Sequence, residues 1–229
     1  MKRMISLTLA FLLLLTSAAL AENTITVSGG AVVNVASDVA YVRLGVYLND
    51  ADVTTAIQQA NERIDAICAA LSENGIDEKY ISTDYLYISP MYDYSDDGNG
   101  EITGYSVNNG LLIEISDVDA VGSIIDVAFA AGANNFDSVT FALKNKSEAR
   151  DEALRLAVED AAHKAEVLAE ASGKQPGEVI SISESDDTYY STDSYAESAV
   201  ATDTATTVRA SQASVSAQVS ICYELEDVA

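Results

Sequence analysis

Four acidic side chains, Asp93, Asp96, Asp97 and Glu101, crowd into the stretch SPMYDYSDDGNGEITGY (89–105) around Gly98 and Gly100. Carboxylates spaced in this way around a glycine are what calcium takes. A loop of the EF-hand type presents oxygens at positions one, three, five, nine and twelve, with glycine at six. Counted from Asp93, the residues Asp93, Ser95, Asp97, Gly98 and Glu101 fall at one, three, five, six and nine. Position twelve, which should be a bidentate acid, is Gly104, and position eight, normally apolar, is Gly100. The flanks read as strands instead of helices. A solvated hairpin tip is therefore the leading expectation, because Asp-Gly and Asn-Gly pairs turn chains readily. Calcium held by Asp93, Asp97 and Glu101 is the alternative.

Other groups capable of chemistry are sparse. His163 is the only histidine, with Glu159 four residues before it and Glu166 three after it. That spacing could hold a divalent ion on one helix face, but with no second histidine or thiolate nearby it reads as a solvated face paired with Lys164. Two cysteines, Cys68 and Cys222, lie far apart in sequence. An oxidising compartment would permit a bridge, while the plainer reading is two half-buried thiols without a resolving partner. No GxSxG elbow, HExxH, phosphate loop or CxxC occurs, so the chain is expected not to be an enzyme. Tyrosines 85, 87, 92, 94 and 105 cluster around the acidic stretch. They offer either a surface for a partner or ligand or a set of cross-strand pairs within a sheet.

The elements that must position these residues follow from periodicity. Ile25–Val46 reads as two strands with a break at Gly29-Gly30, the second covering Val39–Leu44. Val53, Ile57, Ala60, Ile64, Ile67 and Leu71 share one helical face, with Asp52 as cap and Gly75 as stop. Ile81–Tyr92 and Ile102–Ser116 read as strands, and Tyr105, Val107, Asn109, Leu111, Ile113 and Ile115 share one side of the second. A helix through Val118, Val121, Ile125 and Ala128 stops near Gly132, and a strand covers Phe136–Leu143. Over 39–143 the order is β-α-β-β-α-β, the split arrangement of a ferredoxin-like module.

The fold class is thus α+β: the ferredoxin-like module extended, over 144–229, by a long helix and two further strands. The helix covers Glu148–Ser172, capped by Ser147 and stopped by Gly173, with alanines at 153, 157, 161 and 165 suited to close packing. The strands are Val179–Ser183 and Val215–Leu225. Between them the acidic segment 184–212, rich in Ser, Thr and Tyr, reads as a flexible loop or as an arm that orders at an interface.

The first 21 residues combine Lys2 and Arg3, an apolar run from Ile5 to Leu15 and a small-residue ending at Ala19-Leu20-Ala21. That is the pattern of a secretory signal peptide, with an uncleaved anchor as the rival, and it places the working chain at 22–229 in the periplasm, the cell envelope or outside the cell. No later segment is apolar enough to span a membrane. Losing Lys2 and Arg3 takes the formal charge from −24 to −26. Such a chain repels nucleic acid and anionic headgroups.

ITVSG (25–29), GYSVNN (104–109), AGANNFDSVTF (131–141), the helix ARDEALRLAVEDAAHKAEVLAEASG (149–173) with VISISE (179–184), and the closing VSAQVSICYEL together resemble the SIMPL-domain proteins. The resemblance covers nearly all of 22–229 and implies an exported α+β protein that self-assembles. At least one member forms a large ring-like or channel-like oligomer, and the family is linked to oxidative or general stress. It has no agreed catalytic residues, so none is carried over. The long acidic segment departs from the family pattern.

Overall fold

The computed structural model describes residues 23–94, 100–185, 190–192 and 206–228. The expected leader, Asp96, Asp97 and most of the acidic segment lie outside the described residues. Eleven elements follow in chain order: β1 (Thr24–Ala36), β2 (Val39–Asp50), α1 (Val53–Glu73), β3 (Ile81–Asp93), β4 (Glu101–Ile115), α2 (Val121–Ala130), β5 (Asn135–Ala142), α3 (Ser147–Ala171), β6 (Lys174–Glu184), β7 (Tyr190–Thr192) and β8 (Gln212–Asp227). The strands form two antiparallel sheets. One has the order β1-β8-β6, with β7 also on β8, and the other the order β3-β4-β2-β5.

The chain divides into two compact units, and β1, α3 and β8 contribute residues to both. The larger unit, 32–153 with 188–216, holds the sheet β3-β4-β2-β5. Ala40, Val42, Leu44 and Val46 of β2 and Leu111, Ile113 and Ile115 of β4 alternate onto one face of it, as the period of a strand requires. Ile67 and Leu71 of α1 and Val121, Ile125 and Ala128 of α2 close over that face, all buried. Each such valine, leucine or isoleucine side chain removed from water contributes roughly 1.5–3 kcal/mol.

The cap of α1 and the glycine stops agree with the sequence reading. Thr55 N–H donates to the Asp52 carboxylate at 2.9 Å. This backbone bond, with the Thr55 hydroxyl, holds the carboxyl below its usual range. Gly75 ends α1 in the left-handed region at φ 90°, as Gly132 (118°) does after α2 and Gly173 (75°) after α3. At the start of α3 the capping oxygen belongs to Asn145, which accepts from Ser147 N–H at 3.0 Å, instead of to Ser147 itself.

Part of the segment read as a loop is held. Tyr190–Thr192 pairs with Ala213–Val215. At residue 206 the Thr206 N–H and hydroxyl both donate to the Asp126 carboxylate, at 3.1 and 2.5 Å, and Val208 packs on the core. Gly122 makes room for this: a β-carbon there would stand 2.1 Å from the Thr206 carbonyl oxygen.

In the smaller unit, 1–31 with 154–187 and 217–229, the expected break at Gly29-Gly30 does not occur. Strand β1 runs straight through both glycines. Gly29 serves packing: a β-carbon on it would lie 2.0 Å from Ala157 O and 2.5 Å from Ala161 N. The fully buried alanines 157, 161, 165 and 169 give the helix the matching smooth side. Gly30 N–H donates to Asp160 at 2.9 Å, Asp160 pairs with Lys164 at 2.6 Å, and Lys164 donates to Ser28 O at 3.1 Å.

Candidate interaction surface

Strand β3 lies at the edge of its sheet, hydrogen-bonded to β4 on one side only. Helix α1 packs against β2 and β4, and beyond Ile81, which reaches the core, β3 leaves large apolar residues in solvent. Leu86 is 52% exposed, Tyr87 64% and Ile88 41%, followed by Tyr92 at 46% and Tyr94 at 81%. The run Tyr85–Tyr92, YLYISPMY, carries no charge, although 21% of the chain is Asp, Glu, Lys or Arg. Exposed edges of this kind are normally blunted with charge, bulges or proline. Here Pro90 and a register shift near each end interrupt the edge, and charge stands only at the ends. Asp84 pairs with Arg43 at 3.2 Å on one side, and Asp93 stands opposite Glu101 on the other.

The ring of Tyr85 lies over Gly110 of β4, where a β-carbon would meet its Cε1 at 2.4 Å. Gly110 is in turn the register partner of Gly45 on β2, so a side-chain-free trough crosses the sheet. Through it Tyr85 donates its hydroxyl to Asp137 at 2.7 Å and accepts from Asn135 at 3.0 Å, both on β5. Burial, reinforced by Asp137, pushes the phenol up to about 12. Tyr87 stacks on Tyr85 with ring centres 5.3 Å apart, and Tyr92 meets Tyr94 at 5.9 Å. Both pairs thus join rings two residues apart in the chain.

Of the three candidate calcium ligands, Asp93 and Glu101 are brought together as ladder partners, and Gly100 N–H closes the turn onto Asp93 O at 2.8 Å. Asp97 lies outside the described residues. Among the described residues no group of three acidic, histidine or cysteine side chains could hold a metal. His163 is exposed on α3. Cys68 and Cys222 are free, half-buried thiols. Burial, with Asp65 and Glu78 adding to it, pushes the Cys68 thiol up, away from nucleophilic character.

Sequence periodicity missed the anchor of Tyr85. The β2–β5 register shifts beside Arg43 and Leu44, leaving Asp137 as an extra residue that strict alternation does not place. The signal available was the pair of glycines, Gly45 and Gly110, inside strand patterns.

The chain is 32% identical over 164 residues to the 26 kDa periplasmic immunogenic protein of Brucella melitensis, covering 70% of this chain and 66% of that protein. It is 32% identical over 158 residues to the uncharacterized protein YggE of Escherichia coli K12, covering 69% and 64%. Against YggE of Edwardsiella ictaluri it is 31% identical over 155 residues, covering 68% and 65%. The match therefore spans just under two thirds of the length of these relatives. Among the described residues no helix is long and apolar enough to cross a membrane. Residues 25–223 match the SIMPL model, described as a protein of unknown function (DUF541), and the chain belongs to that family.

Proposed function

We propose that this chain is an exported cell-envelope protein of the SIMPL type that works by associating with itself, in a protective role under stress, and not by catalysis. The observation that carries the reading is the uncharged, apolar edge Tyr85–Tyr92, exposed in a chain of charge −24. Export is supported by the leader pattern of residues 1–21 and by the periplasmic name of the Brucella relative. In this reading 22–229 is the working domain. Its 39–143 segment is a ferredoxin-like module, a description supported by the strand order β3-β4-β2-β5 with α1 and α2 on one face. The remainder, 144–229, extends it through α3, β6, the acidic segment 184–212 and β8.

Light scattering after size exclusion tests this directly on the exported protein. A defined oligomer whose mass is the same in calcium and in chelator is the expected result. A monomer at physiological concentration would reject self-association.

A second reading, calcium at the hairpin, is favoured by the register that sets Asp93 opposite Glu101. It requires a calcium-dependent rise in melting temperature that Asp93→Ala abolishes.

A further inference from the structure

We infer that β3 pairs with β3 of a second copy, antiparallel, about a two-fold axis through Tyr87, an assignment that rests on the self-association proposed above. The backbone decides the register. From Tyr85 opposite Gly110 to Met91 opposite Gly104 the pairing with β4 is unbroken, with shifts only at either end. In an antiparallel strand the N–H and C=O of one residue point the same way, and successive residues alternate. Ser89 O accepts from the Ser106 hydroxyl and Met91 O from the Thr103 hydroxyl, each at 3.3 Å, so these residues turn toward β4. Pro90 has the other parity, where its missing N–H costs the ladder nothing. Leu86 and Ile88 share that parity and turn their N–H and C=O groups to the free edge.

A two-fold axis through Tyr87 sets Leu86 opposite Ile88 of the second copy, and the reverse. Every edge-facing donor and acceptor of those two residues is then paired. An axis through Ile88 would bring Pro90, with no N–H, opposite Leu86. An axis through Leu86 would bring Asp84, at the register shift and carrying a charge, opposite Ile88. The Tyr87 axis alone centres two complete Leu86–Ile88 pairs within the uncharged run and leaves the meeting of Asp84 with Pro90 to its margins, beyond those pairs.

The side chains agree with the backbone. Leu86 and Ile88, now 52% and 41% exposed, meet their counterparts on the side of the sheet that carries the helices. The two Tyr87 rings meet on the opposite face, directly across a pair that exchanges no hydrogen bonds, where side chains approach most closely. A second copy fits this edge better than an unrelated chain because the pairing is self-complementary. Two strongly acidic chains also repel least where neither carries charge.

The test uses the protein purified after export. Tyr87→Cys, oxidised, is expected to give a covalent dimer that reductant reverses. Tyr47→Cys, at a site 45% exposed on β2, and the wild type with its own two thiols are expected to stay uncrosslinked. Ile88→Pro removes an edge donor and leaves the ladder toward β4 intact, so the dissociation constant should rise at least ~10-fold with an unchanged far-ultraviolet spectrum. An oligomer that keeps its mass in Ile88→Pro and crosslinks no better at 87 than at 47 overturns β3 pairing and leaves self-association standing. A monomeric wild type overturns both.

Discussion

The α-carbon of Gly29 sits so near α3 that a β-carbon on it would stand 2.0 Å from the carbonyl oxygen of Ala157. Both obstacles, Ala157 O and Ala161 N, are backbone and cannot swing aside. Gly29→Ala is therefore expected to destabilise by about 3 kcal/mol, the upper end of overpacking costs. Gly30→Ala, whose β-carbon would meet only Ala217 O at 3.7 Å, should change stability by less than about 0.5 kcal/mol. Urea unfolding of the two variants checks the contrast.

Gly122 sets helix propensity against packing. Alanine in place of glycine inside a helix ordinarily gains about 1 kcal/mol. Here the new methyl would press on Thr206 O, 2.1 Å from its position, and displace the residue bonded to Asp126. The expected outcome is a net loss of about 1–2 kcal/mol, with faster proteolysis between 206 and 211. A stabilised, equally resistant Gly122→Ala would mean that the contact with Thr206 contributes nothing.

Tyr85 makes stability depend on alkaline pH. Its folded value of about 12 lies above the ordinary tyrosine value of 10.0, so between those values the unfolded chain releases a proton that the folded chain keeps. The stabilising contribution is complete below about pH 10 and lost as pH rises toward 12. Ultraviolet titration should show a late-ionising tyrosine that vanishes in Tyr85→Phe, and the loss of stability over this window should be shallower in that variant.

Leu71 and Leu86 separate folding from association. Leu71 is fully buried, and Leu71→Ala should cost about 2–5 kcal/mol. Leu86→Ala, at a half-exposed site, should leave the melting temperature of the monomer within a few degrees and lower the mass seen by light scattering. Equal thermal losses in both would show that β3 is a structural strand and nothing more.

Much of the architecture was legible without coordinates because it rests on local physics. The stripe from Val53 to Leu71, the Asp52 cap and the glycine stops at 75, 132 and 173 each depend on neighbours within a few residues. The alternation from Tyr105 to Ile115 likewise carried its buried face in its own spacing. The two glycines at 29 and 30 misled because sequence reports backbone freedom and not what approaches the backbone.

The sequence by itself determined the helices, most of the strands, the acidity and an uncharged run around residues 85–92, since composition and periodicity act along the chain. It could not say that this run lies at a sheet edge, or that the helices leave it bare. Strand order decided that, and strand order is set by pairing between residues distant in sequence. The same distance hid the lock on Tyr85. Its ring reaches Asn135 and Asp137 only because Gly45 and Gly110, 65 positions apart, face each other across two strands.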